Sequence, residues 1–157
     1  MSRPDIDAMA TVTLRLPPNA AHVRTARLVA AAMARRSGVS EEVLDEVRLA
    51  VGEACARAVR RHNRYGVRGP VTVEFVDRDR FSVTVLDMAP APGHESAESA
   101  NKTFLYKTGD FDLGAWTDPT AEALGLALLG AVVHDLEVVD EPNGDGTRLT
   151  MSWPLEH

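Results

Sequence analysis

Apolar and polar residues alternate over TVTLRL, residues 11–16, and its β-branched start favours an extended chain, so a strand is predicted there. Pro17-Pro18 end it. Asn19 offers a side-chain oxygen to cap a helix over AAHVRTARLVAAAMARR, which stops at Gly38, a natural left-handed C′ residue. Ser40 opens a second helix, with Glu41 and Glu42 suited to its positive N-terminal end. Val43, Val47, Ala50, Val51, Ala54 and Ala58 recur at the spacing of one helical face. Arg60, Arg61 and Arg64 are read as complementing the negative C-terminal end of that helix. Gly66 and Gly69-Pro70 break it. VTVEFV (71–76) and FSVTVLD (81–87) flank the polar turn Asp77-Arg78-Asp79-Arg80 and predict a hairpin. Residues 88–118 lack periodicity and hold Pro90, Pro92, Gly93, Gly109 and Gly114, the pattern of a long lid or binding loop. Asp118-Pro119 then supplies a cap and a first-turn proline for the helix TAEALGLALLGAVV. LEVVD, the turn PNGDG and TRLTMSW predict a second hairpin.

The order β, α, α, β, β, loop, α, β, β predicts an α+β fold. It is a two-layer sandwich in which a mixed, mostly antiparallel sheet is covered on one face by three helices. One domain over residues 1–154 is expected from the length of 157, and Leu155-Glu156-His157 reads as the start of a cloning scar and purification tag. A net charge of −6 with no basic tract argues against direct nucleic-acid binding. One cysteine, Cys55, permits no intrachain disulfide and fits a reducing compartment. No apolar run approaches the roughly 18 residues of a membrane span, and the N-terminus carries no signal-peptide core, so a cytoplasmic protein is expected.

The candidate chemistry is spread over four short stretches. In GEACARAVRRH (52–62), Glu53 lies four residues before Arg57, the spacing of an ion pair on one helix face. Asp87 ends a strand in VTVLDMAP, Gly125-Leu126 lies in the third helix, and Gly146-Thr147 sits in the last hairpin. Taken singly, these also read as a solvated pair, a turn residue, helix packing and a hairpin turn. Cys55 reads as a small buried apolar residue, and His22, His62, His94 and His134 show no metal-ligand spacing.

Taken in order, LDEVRLAVGEACARAVRRH, VTVLDMAP, EALGLALLGAVV and GDGTRLTM resemble the N box, the two glycine boxes and the closing Gly-Thr element of the GHKL-type ATPase domain. The similarity lies with the bacterial anti-sigma-factor serine kinases and covers roughly residues 10–153. The resemblance implies roles. Glu53 would be the general base, position 57 a magnesium-holding asparagine, and Asp87 the ligand of the adenine amino group. Gly125 and Leu126 would lie at the phosphates, and Thr147 would contact the site from the last hairpin. The chain departs from the pattern. Arg57 replaces the asparagine and offers only donors and a fixed charge, so Mg²⁺ is not expected to bind well. Ala89 and Ala91 fill the glycine positions after Asp87, and either is strained if its site needs positive φ. An ion pair between Glu53 and Arg57 is expected, leaving Glu53 an impaired base. ATP or ADP binding is then weak or absent, with Arg57 facing phosphate if a nucleotide does bind.

The resemblance implies a regulator that switches between two protein partners, a sigma factor and an anti-sigma-factor antagonist. The lost motifs point to weak or absent kinase activity. The alternative is an active ATP-dependent serine kinase acting on the antagonist. The strand TVTLRL would be an open sheet edge unless something pairs with it, so a homodimer is compatible with the sequence.

Overall fold

The computed structural model describes residues 11–90, 103–107, 121–142 and 144–156. The chain runs through β1 (Thr11–Leu16), α1 (Val23–Ser37), α2 (Glu41–Tyr65), β2 (Val71–Asp77) and β3 (Arg80–Pro90). It continues through β4 (Thr103–Lys107), α3 (Ala121–Val132), β5 (Asp135–Asp140) and β6 (Asp145–Pro154). The six strands form one sheet in the order β1-β2-β3-β6-β5-β4. Every described pairing is antiparallel. The architecture is the expected α+β sandwich, with a fully antiparallel sheet where a mixed one was allowed for.

The caps act locally. Asn19 accepts a hydrogen bond from the Ala21 N–H and opens a short 3-10 turn, Ala20–His22, that leads into α1. Gly38 and Gly66 end α1 and α2 in the left-handed region, where a side chain would be strained. Both predicted hairpins form, β2 with β3 and β5 with β6. The unpatterned stretch 88–118 differs from expectation at both described ends. β3 runs on to Pro90, and residues 103–107 form β4 against β5. TFLYK is too short to declare its period, and its pairing partner lies in a later part of the chain. Residues 91–102 and 108–120, which include Asp118-Pro119, lie outside the described set.

Period-two alternation decides what faces the helices. Val71, Val73 and Phe75 of β2, Phe81, Val83 and Val85 of β3, and Leu149, Met151 and Trp153 of β6 are buried. Phe81 stacks between Phe75 and Trp153, with ring centroids 6.5 and 6.1 Å away. α2 is the central helix and packs on α1, α3 and β3. Leu155, set apart as tag by sequence, packs against the core, and the Glu156 N–H donates to the Gly38 carbonyl. β1 and β4 are the two ends of the sheet. No described helix is long and apolar enough to cross a membrane.

Candidate functional site

The alternation that buries the β3 core places Asp87 and Ala89 on the same inward face. Thr147 follows from the β6 pattern and Asp140 from that of β5. The register sets Thr147 opposite both Asp87 and Asp140. Three neighbouring strands thus bring two carboxyl groups and a hydroxyl to one end of the inner face. All three residues are buried.

Buried carboxylates need cations. α2 supplies two. Arg57 and Arg61, one helical turn apart, lie on the helix face toward the sheet, exposed by only 3% and 0%. The Arg61 Nε donates to Asp87 Oδ2 at 3.2 Å. Its Nη2 donates to the carbonyls of Pro90 at 2.6 Å and Ala89 at 3.2 Å, and to the Thr147 hydroxyl at 3.4 Å. Arg57 Nη1 is 3.7 Å from Asp87 Oδ2. The other carboxylate oxygen, Oδ1, accepts the Ala89 N–H at 3.0 Å. Burial pushes the Asp87 carboxyl above its ordinary pKa, against the pull of Arg61 and Arg57. Burial raises Asp140 as well, opposed by Arg61 and Arg57 and aided by Asp87.

A shift in register between Asp87 and Pro90 marks a bulge where β3 meets β6. The carbonyls of Ala89 and Pro90 meet Arg61 there. No described non-glycine residue has positive φ, so Ala89 sits without backbone strain, while Ala91 is outside the described set. Gly146 has φ +137°, and a Cβ added to it would lie 2.4 Å from the Asp87 carbonyl oxygen. Glycine is required there by the close approach of β6 to β3. His62, next to Arg61, braces the other side of the bulge. The Met88 N–H donates to its Nε2 at 2.9 Å, so Nδ1 carries the proton and donates to the Gly69 carbonyl at 3.0 Å.

The i, i+4 pair expected of Glu53 and Arg57 does not form. Glu53 Oε2 instead accepts from Arg60 Nη2 at 2.9 Å. The reason is burial. Position 57 turns toward the sheet, where Asp87 demands a cation. Arg60 stays at the half-exposed edge of α2, seven residues and nearly two full turns from Glu53. Gly125 of α3 approaches this second pair, and a Cβ there would lie 2.6 Å from Glu53 Oε2. Leu126 is half-buried against the core.

The predicted site residues therefore fall into two groups. Arg57, Asp87 and Thr147 meet in the buried ionic cluster. Glu53 and Gly125 meet at the α2–α3 contact. Arg61, His62 and Asp140 belong with the first group although sequence did not single them out as site residues. Arg61 had been assigned to the helix end, with Arg60 and Arg64. A signal was available: Arg61 lies seven residues after Ala54, which returns it to within about 20° of that buried position.

The cluster can be tested against the group that the resemblance implies. Asp87 would need a lone pair turned to an amino donor, and each of its oxygens already accepts one hydrogen bond from within the chain, leaving one lone pair on each. The Thr147 hydroxyl accepts from Arg61. Position 57 presents a guanidinium, which has no lone pair for a cation. Among the described residues, position 57 therefore does not fit the magnesium ion that the resemblance places there.

Comparison with known proteins places the chain. The model of the histidine kinase-like ATPase domain matches residues 16–153. The chain is 24% identical over 132 residues to the serine-protein kinase RsbW of Bacillus mycoides, covering 83% of this chain and 78% of the relative. It is 29% identical over 136 residues to RsbW of Bacillus pumilus, covering 81% and 76%. It is 26% identical over 129 residues to RsbW of Listeria monocytogenes, covering 81% and 78%. With its sandwich of helices on an antiparallel sheet and its ordered motifs, the chain belongs to the histidine kinase-like, GHKL-type ATPase domain family.

Proposed function

We propose that this protein is an anti-sigma-factor-like regulator that works by partner switching, holding either a sigma factor or an anti-sigma-factor antagonist, with weak or absent kinase activity. One observation carries the proposal. The two side chains in place to recognise a base, Asp87 and Thr147, accept hydrogen bonds from Arg61, while a guanidinium stands at the metal position. Phosphoryl transfer relies on a metal to neutralise phosphate charge, and protein docking does not. On this reading ATP or ADP binds weakly or not at all, magnesium is not held well, and the protein works in the cytoplasm by occupancy. Phosphorylation of the antagonist adds about −1.5 to −2 charge at neutral pH and weakens docking on an acidic surface, so another kinase sets which partner is held. The edge of β1, which no other described strand pairs with, would be the place for a second copy of the chain.

A second reading has its own support: the relatives are named serine-protein kinases, and Glu53 is kept beside Gly125. It makes the chain an active ATP-dependent serine kinase with Glu53 as base. Two assays decide between them. The wild-type protein is incubated with labelled ATP, Mg²⁺ and a cognate antagonist, and pull-downs are run with the antagonist and with sigma factors. Capture of both partners without label transfer is expected. Efficient transfer to the antagonist would sink the first reading in favour of the second.

A further inference from the structure

Arg61 does not make an ordinary surface bridge. Its side chain is fully buried, and among the described residues its guanidinium meets four acceptors from two neighbouring strands, β3 and β6. These are Oδ2 of Asp87, the carbonyls of Ala89 and Pro90, and the hydroxyl of Thr147. All are oxygens acting as acceptors, arrayed around one planar fork of N–H donors. The β3 bulge brings the two carbonyls to it, and the close approach of β6 to β3 at Gly146 holds Thr147 against Asp87. The Tyr65 ring lies 5.9 Å from the guanidinium carbon. The carboxyl group of Asp140 lies on the other side of Thr147.

We propose that the pocket between β3, β6 and α2 is a guanidinium-binding site, and that its resident ligand is the side chain of Arg61. The proposal deepens the partner-switch reading and rests on it. A base is shut out because the chain fills the subsite from within, and the contacts a nucleotide would make between β3, β6 and α2 are made by an internal ligand. The recognition is of a planar cation with several donors. A compact ammonium has the charge without the fork, and a urea has the planar shape without the charge.

Chemical rescue tests this. Arg61→Ala removes the side-chain atoms that ethylguanidinium would replace. The variant's melting temperature is measured against millimolar ethylguanidinium, ethylammonium and ethylurea. A saturable rise of roughly 3–6 °C is expected with ethylguanidinium at tenfold excess over its Kd, with little response to the other two and none from wild type. If Arg61→Ala does not fold in buffer, refolding is run with the same three compounds, and recovery confined to ethylguanidinium is the expected result. Equal response to all three, or to none, overturns the proposal. Arg61→Lys supplies a second measurement. It should melt nearly as low as Arg61→Ala, because lysine carries the charge alone. A lysine variant as stable as wild type would show that only charge matters here. A rise in the wild-type melting temperature with ATP that disappears in Asp87→Asn would also overturn the proposal, since a base would then occupy the space of Arg61. Partner capture and label transfer by the wild-type protein are separate readouts, so the partner-switch reading stands or falls independently of the rescue.

Discussion

Asp87→Asn separates the two roles open to this residue, ligand of a base and counter-ion of arginine. The substitution preserves shape and one carbonyl oxygen but removes the negative charge. In the wild-type protein the carboxylate is 2% exposed. It accepts from Arg61 at 3.2 Å and from the Ala89 N–H at 3.0 Å, with Arg57 3.7 Å away. Its loss removes the carboxylate that both buried guanidinium groups face. Removing one partner of a buried ion pair typically costs about 3–5 kcal/mol. For a domain of this size each kcal/mol moves the melting temperature by roughly 2–4 °C, so a fall of roughly 6–20 °C is expected without any nucleotide present. Thermal melts by circular dichroism and urea titrations, with the m-value unchanged, measure it. The double variant Asp87→Asn/Arg61→Met should recover a good part of the loss, because it removes the stranded charge along with its partner. If Asp87 served mainly to bind a base, the free protein would lose less than about 1 kcal/mol. That result, or a double variant no better than the sum of its parts, would refute the counter-ion assignment.

Two glycines should respond in opposite ways to alanine. Gly146→Ala forces a Cβ onto the Asp87 backbone carbonyl at a φ of +137°, and a loss of at least about 2 kcal/mol in urea titrations is expected. Gly125→Ala meets only the mobile ends of Glu53 and Arg60, so it should displace that half-exposed pair, worth at most about 1 kcal/mol, and regain a similar amount in helix propensity, leaving stability nearly unchanged. Burial pushes the Cys55 thiol up to about 12, against the pull of Arg27, so iodoacetamide at pH 8 should label it only after urea unfolding. Asp140 has a raised pKa, so its folded form binds a proton more tightly than the unfolded chain does. Its contribution is fully present below the unfolded carboxylate pKa and is lost as pH rises through the folded one. The stability advantage of wild type over Asp140→Asn should therefore shrink in urea titrations as pH rises above the ordinary aspartate value of about 3.9.

Much of the architecture was legible because it is written in local periods. Alternation in VTVEFV and FSVTVLD, the apolar stripe of α2 and the glycines at 38 and 66 are short-range signals, and the strands, helix and helix ends form where they predict. The motif positions were legible for the same reason, since Glu53, Asp87, Gly125 and Thr147 are recognised by their neighbours in sequence. Partner choice was not. Glu53 has arginines at both i+4 and i+7, and helix geometry alone permits either. Only the sheet beneath α2, with a buried carboxylate at position 87, decides that Arg57 turns inward and Arg60 is left for Glu53. The central contacts of the cluster join residues 26 and 86 positions apart, which no local period encodes. The strand Thr103–Lys107 was hidden similarly, because five residues next to unpatterned chain become a strand only when β5 offers an edge. Elements follow from the order of side chains along the backbone. Which charges meet follows from where desolvation makes a cation necessary, and that is settled only when the helix closes over the sheet.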